Sequence, residues 1–316
     1  MTGTNDGAPV VAVDVGGTKI RSALVCGRDQ VGEAGWRATP REGGAPVLQA
    51  VRAEVEALVA SSAVRPRGVG LACAGTVDRD RGVVVAAGST LADWSGTRLR
   101  RALEPGLGLP VVVDNDCNAF ASGVAADDGG SLLAVMVGTG LGAGLVIDGE
   151  LHRGRRFTAG EIAHMAAGES VGPWCGCGLP GHLEGIASGS GIDRYHAHLT
   201  GQGAVGVGVV AQRYRHGDPT AAQVVTAAGA ALGGALAGLA VALDLDRVVV
   251  GGGVIDAVPE VGEIVANRFD HALPPTLQRD VRLEVSPDSA TAVLRGIARQ
   301  VADTTARRPG PEGHAR

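Results

Sequence analysis

Lysine is nearly absent from this chain: of its 28 lysines and arginines, only Lys19 is a lysine. An arginine-biased composition that spares one compact ammonium makes its position informative, and it lies inside a glycine turn. Aromatic residues are only 3% of the 316 positions, so Val, Ala, Leu and Ile must fill the core. Positive charge is not in excess either, because 33 acidic residues bring the formal net charge to −5. That balance gives no electrostatic ground for nucleic acid or an anionic membrane as a partner. Any phosphate chemistry must come from local backbone sites.

A disulfide framework is also lacking. Of five cysteines, only Cys175 and Cys177 are close in sequence, while Cys26, Cys73 and Cys117 are scattered, so a reducing cytoplasm is the expected compartment. The first seven residues, Met-Thr-Gly-Thr-Asn-Asp-Gly, carry neither a basic nor an apolar segment, and no secretory signal is expected. Residues 224–243 form an uncharged run long enough to cross a bilayer. The run is rich in Ala and Gly and stands alone, which predicts a buried helix packed closely on a neighbour.

What is present is a repeated theme of strand, glycine turn, and strand or helix. Strands are expected over 10–15 and 20–25, a helix over 46–60, a strand over Gly68–Cys73, a helix near Leu99 and a strand over 110–113. A second set follows: a helix from about Asn118, the strand Leu132–Val137, a loop over 138–144 with four alternating glycines, and a strand over 145–147. Then come a helix over 189–199, the long Ala/Gly helix, a strand over 247–250, a triple-glycine turn, a helix over 290–302 and a frayed tail at 307–316. These alternations predict an α/β protein of two similar halves. The smaller domain takes 1–115 plus about 291–316, and the larger takes 116–290.

Asp14 is followed by Gly16, Gly17, Thr18 and Lys19, where consecutive backbone amides without bulky side chains can cradle phosphate oxygens. Asp14 could hold hydrated magnesium and Lys19 could add charge, though a simple hairpin turn has the same composition. The glycines at 138–144 lack the spacing of a dinucleotide fingerprint and the ending of a P-loop. Gly251, Gly252 and Gly253 suit either ligand approach or close packing of strand on helix. Asp116 follows a strand and opens a helix, so it suits an N-cap or a general base.

Between 160 and 184 the chain concentrates Glu161, His164, Cys175, Cys177, His182 and Glu184. Two thiolates and two imidazoles can close a structural zinc tetrahedron, leaving Glu161 and Glu184 to accept hydrogen bonds from a hydroxyl-rich ligand.

Together the three glycine turns resemble the phosphate 1, phosphate 2 and adenosine motifs of the sugar kinase, heat-shock protein and actin superfamily. More closely, the motifs at 14–19, 115–116, 138–144 and 160–164, followed by Cys-x-Cys-Gly-x-x-Gly, are similar in order to the ROK family of repressors and sugar kinases. The likeness runs from residue 10 to about 298. It implies an α/β fold of two ribonuclease H-like (actin/hexokinase-type) domains around a central cleft, and an ATP-dependent kinase acting on the 6-hydroxyl of a hexose.

The resemblance implies that Asp116 is the catalytic base and that Asn115, Asp116, Glu161, His164 and Glu184 hold sugar hydroxyls, with Gly75, Thr76 and Ser89 beside them. ATP with Mg2+ falls to Asp14, Gly16, Gly17, Thr18, Lys19, Gly138, Thr139, Gly140, Gly142, Gly251, Gly252 and Gly253. Structural Zn2+ falls to His164, Cys175, Cys177 and position 182. A metal-bound His164 needs a partner for its second ring nitrogen, which makes the zinc a structural part of sugar recognition. A homodimer or homotetramer is implied as well.

Two departures stand out. Position 182, usually a third cysteine, is His182. The Pro-Asn pair that glucokinase-like members carry before their sugar-loop tryptophan is replaced here by Ala87, Gly88, Ser89 and Thr90 before Trp94. A missing amide removes a hydroxyl contact or makes room for a substituent, so glucosamine or kanosamine stands beside glucose. An N-acetylglucosamine or N-acetylmannosamine kinase and a catalytically silent sugar-binding regulator are the alternatives, with polyphosphate a disfavoured donor. The family's repressors carry a winged helix before the first glycine motif, and Asp14 leaves no room for one.

Overall fold

The computed structural model describes residues 7–27, 30–88, 91–125, 129–167 and 175–306. Ser89 and the tail from 307 lie outside these. The chain divides into two units, the first of Met1–Gly123 with Thr291–Arg316 and the second of Val124–Ala290.

The first unit begins with strands β1 (Val10–Val15), β2 (Lys19–Cys26), β3 (Gln30–Val31) and β4 (Gly35–Ala38), then helix α1 (Gly44–Ser61). Strands β5 (Gly68–Cys73), β6 (Thr76–Asp78) and β7 (Val83–Ala86) precede helix α2 (Leu99–Leu107), strand β8 (Val111–Asn115) and helix α3 (Asp116–Val124). Its sheet runs β3-β2-β1-β5-β8, with β4 also on β2. The β1/β2 pair is antiparallel, whereas β5 and β8 join in parallel, so that Val15, Cys73 and Asn115 share one row at the strand ends. Central β1 is Val and Ala apart from Asp14 near its end, because both its faces are covered. Trp94 is wholly buried with Leu71, Leu99 and Leu103 in this core.

The second unit repeats the scheme with β9 (Leu132–Val137), β10 (Leu141–Ile147) and β11 (Glu150–His152). Helices α4 (Glu184–Ala187), α5 (Gly189–Thr200), α6 (Val207–Arg215) and α7 (Pro219–Ala242) follow, then β12 (Arg247–Gly251), α8 (Gly253–Ala257), α9 (Pro259–Ala272) and β13 (Arg282–Val285). The sheet order is β11-β10-β9-β12-β13, antiparallel in the hairpins and parallel thereafter. The β1/β2 hairpin of one unit thus corresponds to the β9/β10 hairpin of the other, which explains why both carry a glycine turn.

Helix α7 starts at Pro219, capped by Asp218, five residues before the apolar run. It is a core helix, with Val224, Leu232 and Leu236 fully buried. Gly233 lets it approach α9, since a Cβ there would strike the backbone of Val265 and Phe269.

The first unit boundary falls after Gly123, not between 115 and 116 as the sequence suggested. Helix α3 belongs to the first unit because it packs on the C-terminal helix α10 (Ser289–Ala306), where a Cβ on Gly123 would meet the Ala292 carbonyl and one on Gly296 that of Ala119. Gly296→Ala is therefore expected to destabilise the protein by about 1 to 3 kcal/mol. An unchanged denaturation midpoint would contradict that close approach.

Candidate active site and metal centre

Asp116 is the first residue of α3, directly beyond the end of β8. The cap of this helix is its neighbour: Asn115 Oδ1 accepts from the Cys117 N–H at 2.9 Å and the Asn118 N–H at 3.1 Å. The Asn115 amide donates to the Gly75 carbonyl at 3.0 Å and to Asp116 Oδ1 at 2.9 Å. All four hydrogen-bonding positions of this side chain are thereby used. Asn115 is thus engaged on both sides by the protein itself. Asp116 Oδ1 also receives the Cys117 N–H at 2.9 Å, so two donors share that oxygen. Burial pushes Asp116 above the ordinary carboxylate range, and the hydrogen bonds to Cys117 and Asn115 oppose the rise.

Behind it, Asp114 is fully buried. It accepts from the Asn115 N–H at 2.9 Å and the Asn118 amide at 3.0 Å, with Arg79 Nε at 3.7 Å. Gly75, at φ +103°, leaves no space for a side chain against the Ala86 carbonyl, and Thr76 follows it at the start of β6.

Asp14, near the end of β1, is raised to about 7, first by burial and then by the charge of Asp116, with Arg21 opposing. A buried carboxylate raised by the charge of a second one is a place that a cation would suit. An acid with a folded value near 7 and an ordinary value of 3.8 keeps its proton on folding, so stability falls as pH rises across that window. In magnesium-free buffer, Asp14→Asn should remove this slope and raise the unfolding midpoint at pH 8. An equally steep loss from pH 4 to 8 in the variant would assign the slope to another group.

The first glycine turn is closed by Gly16 N–H to the Lys19 carbonyl at 3.0 Å. Gly17 and Thr18 form its tip, and Thr39 ties it down, its hydroxyl on the Gly16 carbonyl at 2.7 Å and its N–H on that of Thr18 at 3.0 Å. The Lys19 ammonium lies 5.1 Å from the ring centroid of Trp36, an exposed residue of β4. The second turn is shorter than the expected loop: Gly138, Thr139 and Gly140 make it, while Gly142 lies within β10 opposite Met136. At the third, Gly252 has φ +105° and a Cβ there would meet the Val137 backbone, the close-packing role. Gly251 ends β12, and Gly253 opens α8 facing free space.

The metal segment is brought together by backbone rungs, Leu183 N–H to Met165 at 2.9 Å and Ala167 N–H to Gly181 at 2.7 Å. Glu161 is exposed ahead of a 3-10 turn, Ile162–His164. One ligand atom from each of His164, Cys175, Cys177 and His182 lies within 4.8 Å of the others. Cys177 Sγ to His182 Nδ1 is 3.2 Å, His164 Nδ1 to His182 Nδ1 is 3.4 Å, and Cys175 Sγ to His164 Nδ1 is 3.7 Å. A zinc tetrahedron with ordinary Zn–S and Zn–N bonds has edges of about 3.3 to 3.8 Å, so these three separations lie close to those of a zinc site and the donor types suit the ion. Both imidazoles point Nδ1 inward, leaving Nε2 of His164 as its outer nitrogen.

Glu184 is engaged by the protein more than its sequence neighbourhood suggested. Its Oε1 accepts from the Gly176 N–H at 3.0 Å and its Oε2 from the Leu141 N–H at 3.4 Å. Thr39, Asp114 and Arg79 were not singled out by sequence reasoning. No local motif marks them, and only the Gly-rich turn that Thr39 ties down hinted that something must.

Residues 10–303 match the ROK family. A glucokinase of Halalkalibacterium halodurans is 31% identical over 293 residues, 84% of this chain and 86% of the relative. The ROK hexokinase of Thermus thermophilus superposes with a TM-score of 0.81 at 32% identity, covering 94% of this chain and 99% of that one. A ROK glucokinase from Streptomyces griseus, solved with glucose and AMPPNP, gives 0.79 at 30% identity over 94% and 100%. This chain belongs to the ROK family and has the actin-like ATPase fold of its sugar kinases.

Proposed function

We propose that this protein is an ATP-dependent kinase for the 6-hydroxyl of a hexose, glucose or an amino-substituted hexose, with Asp116 as general base. The observation that carries the reading is Asp116 itself. It stands at the strand-end row Val15, Cys73 and Asn115, with one oxygen pinned and its affinity for a proton raised. Ligands of α/β proteins gather at the carboxyl ends of parallel strands, and the Gly16 to Lys19 turn leaves from that same row. The family relatives support the same reaction class.

In the reaction, Asp116 takes the proton of the 6-hydroxyl while that oxygen bonds to the γ-phosphorus. The bond to the β–γ bridging oxygen breaks and ADP leaves. Asn115 and the Cys117 N–H fix the orientation of the carboxylate that meets the hydroxyl. The turns of Gly16, Gly17 and Thr18 and of Gly138, Thr139 and Gly140 offer phosphate oxygens the backbone amides of Gly17, Thr18, Thr139 and Gly140, while the Gly16 and Gly138 amides close the turns, and Gly253 offers room for the adenosine. Asp14 would help to hold magnesium, and the ion would supply positive charge against the phosphates. Glu161, Glu184 and the outer nitrogen of His164 take ring hydroxyls, with Gly75, Thr76 and Ser89 alongside. His164, Cys175, Cys177 and His182 would hold zinc, which would keep the His164 ring in place. Five free thiols agree with a cytoplasmic protein, and the family likeness supports a homo-oligomer.

A coupled ADP-release assay over glucose, mannose, glucosamine, kanosamine, N-acetylglucosamine and N-acetylmannosamine tests the reading. Turnover with at least one sugar and none with its 6-deoxy form is expected. Sugar binding without turnover across the panel would leave a silent sensor in its place.

A further inference from the structure

Glu184 joins two loops whose roles are otherwise separate. Its Oε1 holds the Gly176 N–H at 3.0 Å, beside Cys175 Sγ at 3.2 Å, and its Oε2 holds the Leu141 N–H at 3.4 Å. The fit is close at both ends, because a Cβ at Gly176 or at Gly140 would lie 3.0 Å from a Glu184 oxygen. The chain just beyond α4 grips the same glycine turn, with Gly189 N–H on the Gly138 carbonyl at 2.9 Å and Ser190 N–H on that of Thr139 at 3.2 Å. Residues 184–190 therefore bridge the cysteine turn and the glycine turn within the second unit.

We propose that Glu184 is a positioning residue that locks the turn of Gly138, Thr139 and Gly140 to the cysteine turn, so that the state of the cysteine–histidine cluster sets nucleotide affinity. The inference rests on the reading of that turn as a phosphate site. A glycine turn without an anchor samples many backbone conformations, and its apparent affinity falls by the fraction of time spent in the competent one. A carboxylate suits the strut because it accepts at both oxygens, and its four acceptor positions leave room for a sugar hydroxyl as well. Glutamine has one accepting oxygen, so its amide group meets the second N–H donor to donor. The sequence reading confined the metal to sugar recognition, whereas the strut extends its reach to ATP.

The test measures the dissociation constant of a non-hydrolysable ATP analogue by calorimetry, without sugar, on metal-loaded wild type, Glu184→Ala and Glu184→Gln, each before and after chelation. Both variants are expected to bind the nucleotide about tenfold more weakly. Chelation should weaken wild type by a similar factor and add little in Glu184→Ala, since both act through one strut. Unchanged nucleotide affinity in folded Glu184→Ala or Glu184→Gln, with only sugar affinity reduced, overturns the strut. Additive effects of chelation and substitution overturn the coupling. Wild type that binds no nucleotide, with or without sugar, overturns the proposed function instead.

Discussion

Asp116→Asn is expected to lower kcat by about a thousandfold while changing the dissociation constant for the sugar by less than about threefold, within the range a positioned general base contributes. The asparagine has the same shape, and its oxygen can keep the hydrogen bonds from the Asn115 amide and the Cys117 N–H that now fall on Oδ1. What it loses is a site for the proton of the attacking hydroxyl. The wild-type kcat/KM should also rise with pH through an acid limb set by carboxyls held above their ordinary range, Asp116 by burial and Asp14 at about 7. Asp116→Asn should flatten the part due to Asp116. More than about a tenth of the wild-type rate in the variant would remove Asp116 from the role of base.

Cys175→Ser is expected to release the metal and raise the sugar KM by about ten- to a hundredfold, the usual cost of disturbing a metal site's supporting shell. Cys175 is the buried member of the cluster, so the loss opens the site from inside. His164 then loses the bond that fixes its ring, and the chain at Gly176 and Glu184 is loosened with it. His182→Cys should behave differently, since a thiolate at that position closes the same tetrahedron. Metal content by elemental analysis, read beside KM, separates the cases. A metal-free Cys175→Ser enzyme with wild-type KM would make the cluster irrelevant to the sugar.

Features that depend on residues close in sequence were readable from the chain. The strand–glycine turn–strand hairpins and the core helix α7 follow from local spacing, and the gathering of His164, Cys175, Cys177 and His182 follows from one short segment. The alternating glycines at 138–144 misled because Gly142 and Gly144 stand opposite Met136 and Ala134 inside a hairpin, where pairing overrides their poor strand propensity. The role of Asp116 was open between helix cap and base because Asp suits either, and only side-chain geometry gives the cap to Asn115.

Partners far apart in sequence were not legible at all. Arg79 reaches Asp114 and, at 3.1 Å, Thr304, while Glu184 reaches back to Leu141. No short motif encodes such contacts, which arise only once both sheets are built. The boundary at Gly123 belongs to the same class, because it depends on α10 returning to pack against α3.

The most direct measurement of the central claim is the identity of the product. With ATP and the preferred hexose, phosphorus NMR of the reaction mixture should show one new phosphomonoester, coupled to the C6 protons and formed in equal amount with ADP. ADP without a sugar phosphate, or a phosphate on another hydroxyl, would contradict the account.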